Sequence, residues 1–383
     1  MAISGAYEIA ADWIVPVDGS PMQNASIAFK DGVITSLNPL KKSEKRSGKT
    51  TRIILPGFIN LHCHLDYSLA GFLKKPLFEW IPELVGKTRS WDREQFRVSA
   101  LHGARQSLRH GTTFLVDSSY SGASAHAMAE AGLKGVCGLE LFGVDNDSAD
   151  FYFSAWLERY KILAEEINKL SGDISLTVAP HAPYTVSPAL FKKALAWAKQ
   201  AKLPVLVHLS ESPLENQWFL SGEPLIDQFL TKVLPGENSR KIVDNIDWHR
   251  VGKTVGEYYY DLGLLDSSLI AAHGIHLTEN ELSLVKANDV SIVHCPRSNL
   301  NLENGRLPLE TLIERKIKTG LGTDSLASCP SLSMLDEARS MVKLHSEFGM
   351  DREKLPELAL RLITIESARV LGREDRIGSL DRG

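Results

Sequence analysis

The chain has 383 residues, 43% hydrophobic and 23% charged, with a formal net charge of −4. That length holds a barrel of ~250 residues with a smaller appended domain, and a charge so close to neutral excludes the basic footprint of a nucleic-acid binder. No apolar run approaches the ~20 residues needed to cross a bilayer, and no basic segment followed by an apolar core opens the chain, so no secretory signal is expected. Cys63, Cys137, Cys295 and Cys329 are scattered with no C-x-x-C pair. This argues against a disulfide framework or a structural zinc knuckle and points to a reducing, cytoplasmic setting.

Residues 7–40 alternate apolar and polar, with turn signals at Asp18-Gly19-Ser20 and Asp31-Gly32. They read as short antiparallel strands of a small β domain. The basic stretch Lys41–Lys49 reads as a solvated loop. From Ile53 the pattern changes to buried strands alternating with helices, the mark of βα units and a parallel sheet. Eight strands are expected near Ile53–Leu65, Thr112–Ser118, Gly135–Leu141, Ile174–Pro180, Pro204–Leu209, Leu269–His273, Val290–His294 and Thr319–Thr323. Helices are expected over Arg93–Arg109, Ala155–Leu170, Pro188–Ala201, Glu279–Ala287, Leu309–Arg315, Ser333–Phe348 and Glu353–Leu371. Eight units predict an α/β fold, a (β/α)8 TIM barrel. The absence of G-x-G-x-x-G after a strand gives a dinucleotide fold no support. Between the fifth and sixth strands, residues 211–268 form a long insertion. Its Trp218, Phe219 and Tyr258-Tyr259-Tyr260 either line a pocket or pack a helical subdomain of their own.

Functional groups of such barrels sit at the C-terminal ends of the strands. Here those ends carry His62 and His64, then His181, His208, His273, His294 and Asp324. In a strand, side chains at i and i+2 share a face, so His62 and His64 can share one metal ion. His62, His64, His208 and Asp324 make an N/O ligand set suited to zinc or ferrous iron, leaving a coordination position for water. Such a metal lowers the pKa of bound water to ~7. Glu211, three residues after His208, is placed to shuttle protons to a leaving group. His273 is placed to hydrogen-bond the water or a developing oxyanion, and Asp324 to share the water's proton.

The segments PGFINLHCHLD, PHAPYTVSP, HLSES, AHGIHL, VHCPRSNLNL and GLGTDSLAS, in that order, resemble the amidohydrolase superfamily, and most of all its aminohydrolase branch of nucleoside-type deaminases and chlorohydrolases. The resemblance implies a barrel with a composite β-sandwich: residues 1–55 in the sandwich, 56–372 in the barrel, and 373–383 returning to a truncated sandwich. It implies one divalent metal, zinc before iron, on His62, His64, His208 and Asp324. By the same resemblance Glu211 and His273 handle protons, His181 contacts substrate, and Glu79 falls where relatives hold ribose hydroxyls. A homodimer is also implied. The fourth strand ends in APHAP with no lysine, which favours one metal over a lysine-bridged pair. The cytidine-deaminase type, which pairs H-x-E with P-C-x-x-C, is excluded.

The leading expectation is a hydrolytic deaminase of an adenine-type nucleoside, with HLSESPLENQWFLSGEPLIDQFL most similar to aminodeoxyfutalosine deaminases and next to S-adenosylhomocysteine or methylthioadenosine deaminases. A chlorohydrolase or cyclic-amide hydrolase of another ring, and a non-catalytic binding barrel, are the alternatives. Around the ligand set, Arg297, Ser298 and Asn299 either shape the pocket or stabilise a turn. His294 reads as a group behind the ligands, Asp66 as a residue orienting the site through hydrogen bonds, Asp145 and Asp147 as solvated, and Cys63 as packing.

Overall fold

A computed structural model describes residues 5–41, 50–170, 172–234, 236 and 238–382. Three strands, β1 (Ala6–Ile14), β2 (Met22–Lys30) and β3 (Val33–Pro39), pair antiparallel, and the two-residue β4 (Ile53–Ile54) adds to β1 in parallel. Ala11, Ile14, Ala25 and Ile27 form the small core of this sheet. Leu380 joins them, and its amide donates to the Pro16 carbonyl at 3.2 Å; residues 373–382 contain no strand. Of the expected basic loop, residues 42–49 lie outside the described residues.

The second sheet has eight parallel strands in sequential order: β5 (Phe58–Cys63), β6 (Thr112–Ser119), β7 (Lys134–Leu141), β8 (Ile174–Pro180), β9 (Val205–Leu209), β10 (Leu269–His273), β11 (Ser291–His294) and β12 (Thr319–Leu321). Nearly every residue of these strands is buried, as a sheet covered by helices on its outside and by itself on its inside requires. Hydrogen bonds bring the last strand back to the first. The amides of Thr323 and Asp324 donate to the His62 carbonyl at 3.1 and 3.0 Å, and Asn60 Nδ2 donates to Thr323 Oγ1 at 2.8 Å. Gly322 makes this approach possible, because a Cβ there would stand 2.8 Å from His62 Cβ and 2.9 Å from its nitrogen. The fold is therefore a (β/α)8 barrel with a separate, mainly antiparallel sheet.

Two expected elements divide. Ile53–Leu65 is not one strand: Pro56 and Gly57 split it into β4, which belongs to the small sheet, and β5, which opens the barrel. Proline donates no ladder hydrogen bond. Likewise Glu353–Leu371 is two helices, Leu355–Leu362 and Ile365–Val370, broken where Thr364 leaves the helical region at φ −138°. The insertion is helical, with helices Pro213–Ser221, Pro224–Val233, Ser239–Asp244 and Val255–Asp261. Trp218, Phe219 and Tyr259 are buried in the main hydrophobic core, so these aromatics pack the fold instead of lining a pocket. Helix starts follow local chemistry. Asp92 and Gln95 make a reciprocal capping box for the helix Arg93–Arg109, and Thr278 with Glu281 does the same for Glu279–Ala287, each worth about 1 kcal/mol.

Candidate active site

His62 is the penultimate residue of β5 and His64 lies one residue past its end. Two buried carboxylates fasten the short turn Leu65–Tyr67 that follows. Asp117 accepts from the Leu65 amide at 2.7 Å, and Asp66 accepts from Ser119 Oγ, the Ser121 amide, Ser121 Oγ and Ser124 Oγ at 2.8 to 3.1 Å. Both imidazoles thereby meet the ends of the last strands. His62 Nε2 and His64 Nε2 each stand 3.7 Å from Asp324 Oδ1, and His64 Nε2 stands 3.1 Å from His208 Nε2. In the triad His62, His64 and Asp324, and in the triad His62, His208 and His273, all candidate ligand atoms lie within 4.8 Å of one another.

Two of the rings and the carboxylate are held from behind. His208 donates Nδ1–H to the His181 carbonyl at 2.6 Å, which leaves its Nε2 lone pair facing the cluster. His273 meets Asn299 Oδ1 through Nδ1 at 2.9 Å. Asp324 accepts from Ser298 Oγ at 2.5 Å, Ser328 Oγ at 2.9 Å and the Ser325 amide at 2.8 Å. Three groups at strand ends sit on left-handed backbone, Ser210 at φ 51°, His273 at φ 75° and Asp324 at φ 60°. Strain of that kind persists only where surrounding contacts over-determine it, and it collects at functional sites.

The electrostatics favour metal binding. Burial, then the neighbouring imidazoles, hold His62 well below its ordinary value; burial takes His64 down to about 4 against the pull of Asp324; and His208 and His273 are lowered by burial too. Burial alone would raise Asp324, but His64, His273 and the Ser298 hydroxyl outweigh it and hold the carboxyl low. Neutral imidazoles beside an ionised carboxylate are the protonation state that ligation needs. His62 Nε2, which faces Asp324 Oδ1, is buried with no hydrogen-bond partner, a cost a protein carries where another ligand uses the atom. The residues fit a divalent ion.

Glu211 lies beside this cluster, 4% exposed, with Oε1 3.6 Å from His273 Nε2. Burial pushes its carboxyl up to about 8, with His208 pulling the other way. Glu215 fixes the backbone there, accepting from the Ser210 and Glu211 amides at 2.9 and 3.2 Å. His181 joins the group at its rim, its ring centroid 4.8 Å from that of His208 and stacked at 4.8 Å on Phe142. No hydrogen bond or ion pair links Glu79 to these residues; it is exposed in the first turn of the helix Leu77–Thr88. His294 stands apart as well, its Nε2 3.1 Å from His345 Nε2. Asp145 closes its own exposed loop by accepting from the Asp147 amide. Arg297 is bound to Glu337 at 2.7 Å and to Ser331, a structural tie, whereas Ser298 and Asn299 reach Asp324 and His273.

Two neighbours escaped sequence reading. Glu140 on β7 lies 3.8 Å from His64 Nδ1, raised well above its usual range by burial; a charged residue inside an otherwise apolar strand was its only signal. Asn304 donates to Glu211 Oε1 at 2.9 Å, and nothing in its loop sequence announces this.

Known proteins share this sequence and fold. The model of the amidohydrolase family matches residues 53–383. The chain is 28% identical over 379 residues to a 5-methylthioadenosine/S-adenosylhomocysteine deaminase of Syntrophobacter fumaroxidans, covering 96% of this chain and 79% of that protein. It is 29% identical to the enzyme of the same name from Aquifex aeolicus, over 90% of this chain and 75% of that one. Among solved structures, an adenosine deaminase from Xanthomonas campestris with bound zinc aligns with a TM-score of 0.77 at 26% identity, covering 98% of this chain and 82% of that one. Helicobacter pylori aminofutalosine deaminase shares the fold with a TM-score of 0.81 at 20% identity, over 98% of this chain and 90% of that one. With the family model spanning the whole barrel and the strand ends carrying this histidine and aspartate set, the chain belongs to the amidohydrolase family, as a hydrolase of carbon–nitrogen bonds other than peptide bonds.

Proposed function

We infer that the protein is a metal-dependent hydrolytic deaminase of an adenine-type nucleoside, with 5-methylthioadenosine, S-adenosylhomocysteine, adenosine and aminofutalosine as the candidate substrates. The observation that carries this reading is the pairing of one buried carboxylic acid, Glu211, with the convergent ligand set His62, His64, His208 and Asp324. The names of the relatives support the choice of an adenine-type nucleoside. These four residues would hold a single divalent ion, zinc first and ferrous iron second, which when bound supplies a Lewis acid that makes water nucleophilic near neutral pH.

The chain's own groups move the protons. A water oxygen adds to the ring carbon that bears the amino group, Glu211 takes one of the water's protons, and the electron pair of the opened carbon–nitrogen double bond moves to the ring nitrogen. His273, with Nδ1–H given to Asn299, keeps its Nε2 lone pair for a hydrogen bond from that water. Asp324 shares with His273 the hydrogen bond from the water's second proton. Glu211 then hands its proton to the amino nitrogen, the bond to that nitrogen breaks, and ammonia leaves as the ring carbonyl forms, the second water proton ending on the ring nitrogen. Burial favours the protonated form of this carboxyl, which lets it hold the water's proton until the amine departs. His181, stacked on Phe142 at the rim, is assigned to the heterocycle, and Glu79 to the ribose hydroxyls.

The test is ammonia release from the four nucleosides by protein of known metal content. Absence of ammonia from every one, with metal bound, would overturn the reading.

A further inference from the structure

One short segment after β11 reaches three members of the site. Ser298 donates to Asp324, Asn299 meets His273, and Asn304 Nδ2 donates to Glu211 Oε1 at 2.9 Å. Of these, Asn304 acts on the group that carries the proton. It is 3% exposed and held from both ends of its own backbone. Its amide donates to the Asn299 carbonyl at 2.9 Å, and its carbonyl accepts from His276 Nε2 at 2.7 Å. His276 is fastened in turn, its carbonyl accepting from Asn216 Nδ2 at 2.8 Å. Gly305, at φ 103°, turns the chain immediately afterwards through a conformation that side chains disfavour. The carboxamide is thus delivered to Glu211 by a rigid frame.

We propose that Asn304 is the positioning residue of the proton shuttle, pinning Glu211 Oε1 so that Oε2 alone exchanges the proton between water and the departing amine. The proposal rests on the assignment of Glu211 to proton transfer. The residue type follows from the task. A lysine or arginine at this place would hold Glu211 ionised and stop it from giving its proton back; a carboxylate would repel it. A neutral amide donor orients the carboxyl in both of its protonation states. Orientation matters because a displaced reacting group loses rate steeply without weakening binding.

The experiment compares the unsubstituted protein with Asn304→Ala, Asn304→Asp, Glu211→Gln and the double variant Glu211→Gln/Asn304→Ala, all loaded with metal. It measures kcat and KM for ammonia release from 5-methylthioadenosine and adenosine, the metal content, and crystal structures of the first three. Asn304→Ala should keep its metal and its KM while kcat falls by about 10-fold to 100-fold, the usual effect of removing such a supporting contact. Asn304→Asp, of the same shape, should fall at least as far. The double variant should be no slower than Glu211→Gln, because the amide acts only through that carboxyl. In the crystal, the Glu211 carboxyl of Asn304→Ala should leave its place by more than about 0.5 Å. An undisturbed Glu211 carboxyl in that crystal structure would overturn the proposal whatever the turnover. So would a kcat within about 2-fold of the unsubstituted protein, or equal additive losses in the Glu211→Gln background. Failure of the functional reading shows elsewhere, as an unsubstituted protein that releases no ammonia.

Discussion

His62 and Asp324 are joined twice, once through the backbone and once across the site. The Asp324 amide donates to the His62 carbonyl at 3.0 Å, and Asp324 Oδ1 stands 3.7 Å from His62 Nε2. The hydrogen bond that helps bring the barrel's last strand to its first is also the one that sets two proposed ligands opposite each other. Closure of the fold and assembly of the site are therefore one event, and a change at the seam should disturb both.

Gly322→Ala tests this coupling directly. The added methyl would meet His62 Cβ at 2.8 Å and backbone atoms of His62 at 2.9 and 3.0 Å, so β12 must move away from β5. Overpacking of this kind costs about 1–3 kcal/mol. A lower denaturation midpoint together with reduced metal content is expected; loss of stability with metal binding unchanged would separate the seam from the site.

Asp324→Asn keeps the side chain's shape while removing its charge. Metal content after dialysis should fall, and activity should drop by on the order of 10²-fold or more. Elemental analysis beside the rate assay would check this, and full metal occupancy in the variant would remove Asp324 from the ligand set.

Glu211→Gln should behave in the opposite way. Metal should remain, while kcat falls by about 10²-fold or more because the proton carrier is gone. Loss of metal in this variant would make Glu211 a ligand instead of a shuttle.

A pH dependence follows from the buried acids. The Glu215 carboxyl is raised from 4.5 to about 8, first by burial, with the Ser210 and Glu211 amides opposing. A raised acid keeps its proton in the folded state after the unfolded chain has lost it, so its contribution to stability declines as pH rises from 4.5 to 8. Below 6.5 the buried histidines, His64 among them at about 4, act in the other direction. Above 6.5 they are neutral in both states and the carboxyls act alone. Metal-free protein should therefore lose stability between pH 6.5 and 8, by on the order of 1 kcal/mol per pH unit for each such group. Urea denaturation at a series of pH values would measure it, and Glu215→Gln should flatten the slope. A stability that rises across this window would contradict the buried, protonated state of Glu215.

Removing and restoring the ion should shift stability as well. A cation that binds only the folded chain adds about 2.7 kcal/mol at a free concentration one hundred times its Kd. Zinc or ferrous iron added to chelator-treated protein should raise the melting temperature, and the His62→Ala protein should respond much less.

Much of this site was legible before the fold was known, because barrel strands announce themselves as apolar runs and the chemistry sits where each run stops. His62, His64, His208, His273 and Asp324 all follow such runs, and they converge. Other features were hidden for physical reasons. The split of Ile53–Leu65 depended on which sheet each half joins, a matter of tertiary pairing. The aromatics of residues 211–268 carried no periodicity that distinguishes a pocket wall from a core. Asn304 meets Glu211 across 93 residues of chain from a loop without a pattern, so only the folded geometry reveals it. Glu79 had a single residue of similarity behind it, and it lies exposed in the first turn of its helix.

Metal content and ammonia release, measured on one preparation with 5-methylthioadenosine, S-adenosylhomocysteine, adenosine and aminofutalosine, bear most directly on the role given to this site. A single divalent ion per chain and ammonia from at least one nucleoside, abolished by chelation and restored by the ion, is the expected result. Fully metal-loaded protein that releases no ammonia from any of the four would contradict it.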